Sequence, residues 1–159
     1  MDSDDIRYPP GLRWGRALAT FAGAYAAITL VATAIGFGIS ALVDGGPVAH
    51  PLDDPGYQLT EKLLPALNLA VWTPFAALYF AGRGGAGRRG EALALGALWL
   101  AVALPVDYLG FVVLETPLSL SAREFYVGQF PWIYLIYLAV LASPLCALAL
   151  AKTRTRPGA

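Results

Sequence analysis

Charged positions divide the chain into four long apolar stretches. Twenty-seven uncharged residues separate Arg16 from Asp44, and 20 separate Lys62 from Arg83. The stretch 92–114 holds 23 residues with a single charge, Asp107, and a further 27 uncharged residues lie between Glu124 and Lys152. A helix needs about 20 apolar residues to cross the hydrocarbon core of a bilayer. One such stretch also suits a buried helix of a water-soluble domain, but four in succession predict an all-α membrane protein. The expected spans are 17–43, 63–82, 92–114 and 130–151, making residues 1–159 a single domain, a four-helix transmembrane bundle. The first and last stretches exceed the need and are expected to tilt or run into the interface. The first is also far longer than the roughly 7–15 residues of a secretory h-region, and no A-x-A site closes it, so it reads as a retained span.

The connections read differently from one another. Residues 44–62, DGGPVAHPLDDPGYQLTEK, contain glycines and three prolines and predict an irregular outer loop. Thr60-Glu61 reads as a cap and first-turn acid for the second span, with Leu64, just before Pro65, as the alternative start. Residues 83–91, RGGAGRRGE, form a short basic turn. A connection that short predicts that the second and third helices are antiparallel neighbours. In the third connection, 115–129, Ser121-Ala122-Arg123-Glu124 is a capping box. It predicts a short outer interfacial helix before the fourth span, with Phe125, Tyr126 and Phe130 in the aromatic belt. Pro131 is expected to bend the chain there, and Pro144 to kink the fourth span. Pro74 frees the carbonyl of Ala70, which Thr73 is placed to satisfy.

Lysine and arginine are distributed unevenly about these spans. Arg7, Arg13, Arg16, Arg83, Arg88, Arg89, Lys152, Arg154 and Arg156 fall on one side, and Lys62 and Arg123 on the other. By the positive-inside tendency both termini are cytoplasmic. The basic turn is expected to attract anionic lipid. Eleven basic and 11 acidic residues cancel, so the net charge of zero conceals a separation of charge across the bilayer.

Composition narrows the function classes. Hydrophobic residues make up 57% of the chain and charged residues 14%, against about 25% charged in soluble domains. This excludes an ordinary soluble enzyme and a nucleic-acid-binding module, which needs a basic surface. One cysteine allows no internal disulfide, and one histidine allows no bis-histidine haem. No cofactor and no metal are expected. His50-x-x-Asp53 is flanked by prolines that disfavour a helical ligand face, and Cys146 suits a core position. Arginine exceeds lysine nine to two, which together with abundant Ala and Gly hints at a high-GC prokaryotic genome and hence a plasma (inner) membrane.

Asp107 carries the most chemistry. A carboxyl inside a membrane is costly and faces a partner, a cavity or water. At 1.5 Å per residue it lies about 10 Å below the outer boundary, and Asn68, the only Asn, lies about 9 Å below it. An Asn68–Asp107 contact, direct or through water, is therefore expected. Leu100, Ala103, Asp107, Gly110 and Leu114 share a face whose Ala and Gly would let another helix approach closely. A small, partly hydroxylated stripe on the first helix (Ala22, Ala26, Thr29, Thr33, Gly36, Ser40) and the row Asn68, Trp72, Phe75, Tyr79 on the second face the same region. Phe130, Tyr134 and Tyr137 complete an outward-opening polar cup. Its candidate ligand-binding residues are Asp107, Asn68, Tyr134, Ser40 and Trp72, each of which also has a plain packing or hydrogen-bonding role available. No catalytic residue is expected: Ser-His-Asp spacing, GxSxG and HExxH are absent. A carboxyl dyad would need a second in-span acid, and Glu115 lies two turns away at the boundary. The function expected is binding or transport of a small ligand or ion in this cup. The alternative is a non-catalytic accessory subunit of a larger membrane complex, and a homo-oligomer is compatible with either.

Overall fold

The structure, a computed structural model, describes residues 11–43, 50–82, 88–114 and 119–154. Helices α1 (Trp14–Leu42), α2 (Pro55–Phe80), α3 (Arg88–Tyr108) and α4 (Trp132–Arg154) carry the fold, with no strand among the described residues. Counting the turn that follows α3, all four are long and apolar enough to cross a membrane.

The N-terminus of α2 departs from the sequence reading. Pro at the first helical position has no N–H to lose and a pre-set φ, and Asp is a favoured cap. The Asp54 Oδ1 accepts the Gly56 N–H at 2.7 Å, and α2 begins at Pro55. A 3-10 turn, Pro51–Asp53, precedes it. Residues 55–62 are thus helix and not irregular loop. Thr60 and Glu61 lie inside the helix, not at its start.

Four prolines sit within helices: Pro65 and Pro74 in α2, Pro105 in α3 and Pro144 in α4. Each leaves a carbonyl four residues earlier without its helical partner. The Ser143 hydroxyl donates to the Val140 carbonyl at 2.9 Å, answering the loss at Pro144. Thr73 instead donates to Leu69 at 2.6 Å, so it does not serve the Ala70 carbonyl freed by Pro74. Four residues beyond Pro105, α3 widens into a π turn, Leu109–Val113, closed by Leu114 N–H to the Leu109 carbonyl at 2.9 Å. The capping box forms as read: the Ser121 N–H and hydroxyl reach Glu124 Oε2 at 2.8 and 2.7 Å. A π turn, Glu124–Gly128, follows it.

Around the bundle, α2 packs between α1 and α4, and α3 packs on α4 while only grazing α1. The second and third helices are therefore diagonal, which corrects the expectation of neighbours. They meet through long side chains across the centre: Trp72 lies 5.2 Å from Trp99 between ring centroids, and the Tyr79 hydroxyl donates to Glu91 at 2.8 Å. These pairs make α2 and α3 antiparallel, as the short turn requires. Close packing is concentrated in the half nearer the termini, where Ala17, Phe21, Ala24, Trp72, Ala76 and Trp99 form the centre of the core. All four buried residues of α1 (Ala17, Phe21, Ala24, Ile28) belong to that half. Beyond Ile28, α1 flanks a cavity.

Candidate functional site

The cavity, about 520 Å³, fills the half of the bundle away from the termini. From α1 it takes residues at helical spacing that begins with Tyr25, Thr29 and Thr33. From α2 it takes Tyr57, Glu61, Leu64, Asn68 and Trp72, again at steps of three and four. Ala103, Asp107 and Phe111 come from α3 and its π turn, and Ile133, Ile136, Tyr137 and Val140 from α4. Most of the wall is apolar, with polar groups set into it at a few points.

Asp107 is half-buried, and its Oδ1 accepts the Tyr25 hydroxyl at 2.6 Å. Tyr25 thereby ties α1 to α3. The Tyr137 hydroxyl lies near the same carboxyl but outside hydrogen-bonding geometry, buried and without a partner. Asn68 is buried and its amide is engaged within α2: Nδ2 donates to the Leu64 carbonyl at 2.8 Å, and Oδ1 accepts Trp72 Nε1–H at 3.0 Å. No direct Asn68–Asp107 hydrogen bond forms. The register set by the Trp72–Trp99 and Tyr79–Glu91 pairs, continued along both helices, puts Ala103 across from Asn68 and Asp107 across from Leu64. The two polar groups line one cavity one turn apart.

Ser40 lies at the rim, against Gly56 at the start of α2. Trp72 is buried between Phe21 and Trp99 with an edge on the cavity. Tyr134 is not part of the lining: it is 48% exposed and packs on Phe130 at 5.8 Å. Since α4 begins at Trp132, Phe130 precedes it, and the cavity face follows Ile133, Tyr137 and Val140 instead. Gly110 has open space around it, so no helix approaches Asp107 there. The close α3–α4 approach lies at Gly96.

Among the lining residues that escaped the sequence reading, two stand out. Tyr25 lies one turn before Thr29, so extending the hydroxylated stripe inward by four residues would have found it. Glu61 is 9% exposed, lines the cavity, and has a buried Oε1 with no hydrogen-bond partner. Its signal was the Asp54-Pro55 helix start, which places Tyr57, Glu61, Leu64, Asn68 and Trp72 on one face. Asp107 is therefore not the only acid inside the cavity wall.

The rim is built by the two connections. The His50 Nδ1 accepts the Leu52 N–H at 3.3 Å, which leaves Nε2 to carry the proton, 3.3 Å from Glu124 Oε1. The Ser121 hydroxyl, then its backbone N–H, and then His50 hold the Glu124 carboxyl below its ordinary pKa. Gln129 Nε2 donates to the Tyr57 hydroxyl, joining the third connection to α2. At the opposite end, Arg13 Nη2 donates to the Tyr79 carbonyl at 2.9 Å and Arg16 to that of Leu78. Two of the basic residues on that side thus cap the C-terminus of α2. Asp44, Glu115 and the 83–87 part of the basic turn lie outside the described residues. Among the described residues no group of three metal-ligating side chains occurs. No family model, no curated protein and no solved structure matches the chain.

Proposed function

We propose that the protein binds or transports a small ligand or ion at the Asp107 cavity, in a plasma (inner) membrane with both termini cytoplasmic, and that it is not an enzyme. The observation that carries this reading is the cavity itself. A bundle selected only for packing has no use for about 520 Å³ of space, walled by apolar side chains and holding an in-span carboxyl. In this orientation the cavity occupies the outer half. Anionic lipid is expected at the cytoplasmic Arg and Lys clusters.

The test is accessibility. In a Cys146→Ser background, Cys at Ala103 and Cys at Thr33 are expected to react with a small membrane-impermeant thiosulfonate added outside. Thr33 borders the cavity without being packed, so protection there cannot come from close contact. Protection at both sites would sink the reading.

One observation favours a second reading. The Tyr25–Asp107 hydrogen bond joins α1 and α3, whose backbones stand apart and which share one further hydrogen bond, Trp99 Nε1–H to the Ala17 carbonyl at 2.9 Å, as interhelical glue would in an accessory subunit of a larger complex. Asp107→Asn separates the two: loss of the fold or of assembly supports the glue, and loss of binding in an intact bundle supports the ligand site.

A further inference from the structure

The polar inventory of the cavity is one-signed. Asp54, Glu61 and Asp107 line it, and no Lys, Arg or His is among the lining residues described. Asp54 spends an oxygen on the α2 cap, and Asp107 receives Tyr25. Glu61 is different, because a buried carboxyl oxygen with no donor is expensive. It sits in the cavity wall, and no donor of the described residues stands within hydrogen-bonding distance of that oxygen. Resting on the reading above that this cavity is a ligand site, we infer that its occupant is an organic ammonium ion with an apolar body, held between Glu61 and Asp107.

Charge and shape decide against the other classes. An anion would meet carboxyls and no counter-charge. A bare metal ion needs about six oxygen ligands at short range, whereas this wall is mainly apolar and no three-ligand group occurs among the described residues. A neutral apolar molecule would fill the space but leave Glu61 without a donor. An ammonium supplies N–H donors and positive charge together, and its apolar part fits against Ile28, Ile133 and Phe125. The ammonium could belong to a free amine or to an aminophospholipid headgroup.

The test uses the full chain in phosphatidylglycerol nanodiscs and three probes sharing one apolar body: 1-aminoadamantane, adamantan-1-ol and adamantane-1-carboxylate. Saturable binding is expected for the ammonium, at least about tenfold weaker binding for the alcohol, and none for the carboxylate. Glu61→Gln and Asp107→Asn are each expected to weaken the ammonium about tenfold or more while leaving the alcohol unchanged. Equal binding of alcohol and ammonium, preferred binding of the carboxylate, or an unaffected Glu61→Gln variant overturns the ammonium assignment and leaves the ligand site standing. No saturable binding of any probe to a protein that melts normally overturns both. Should Glu61→Gln not fold, the three-probe comparison on the parent chain decides alone. Repeating the titration with phosphatidylethanolamine in the discs separates the sources. Competition by that lipid assigns the ammonium to a headgroup, and unchanged affinity assigns it to a free amine.

Discussion

Gly96 and Gly23 both sit where helices come close, but what they face differs. A Cβ on Gly96 would lie 2.3 Å from the backbone oxygen of Leu141, whereas one on Gly23 would lie 2.7 Å from the ring edge of Phe75. A helix backbone cannot step aside alone, but an aromatic ring can rotate. Gly96→Ala is therefore expected to destabilise the bundle by about 1–3 kcal/mol, the usual range for overpacking, and Gly23→Ala by clearly less. Unfolding in mixed micelles measures both, and equal stability of Gly96→Ala and the parent would mean that α3 and α4 are not in backbone contact. Among single residues, Asp107 was conspicuous in the sequence because charge in an apolar run stands out. Tyr25 and Glu61 did not, since a tyrosine has many uses in a membrane and an acid near a predicted boundary passes for a cap.

Element boundaries turned on short local signals. Asp54-Pro55 started α2 eight residues before the expected span, and that shift brought Tyr57 and Glu61 onto the cavity face. The prolines of residues 44–62 suggested a loop throughout, although one of them opens a helix. The capping box was legible because both partners lie within four residues and need no tertiary help. It also predicts a response to pH. The folded Glu124 pKa is lowered, so the stabilisation of the turn is complete above the unfolded value of about 4.3. It is lost as pH falls through the lower folded value. Amide exchange at Ser121 is expected to quicken below about pH 4. In Glu124→Gln, which keeps an acceptor but cannot titrate, exchange should lack that step. A step of the same size in the variant would assign the effect to another group.

For the whole molecule, the distribution of Lys and Arg carries an orientation that the helices themselves do not state. In the Cys146→Ser background, Lys62→Cys is expected to react with an impermeant maleimide on intact cells. Lys152→Cys should react only after permeabilisation, and the reverse pattern would invert the topology. That four helices are long and apolar enough to span a membrane was determined by the sequence alone, because bilayer thickness and backbone hydrogen bonding act on each segment separately. Which helices touch was not. A short turn between α2 and α3 makes them antiparallel but not adjacent, and their diagonal placement follows from how Trp72, Trp99 and the Gly96 contact fill the centre. Tertiary structure likewise decided that Asp107 meets Tyr25 rather than Asn68, because relative register depends on interhelical packing and not on depth counted along either chain. It also decided that Glu61 lines the cavity with an oxygen left unpaired, since burial and partners belong to the assembled bundle.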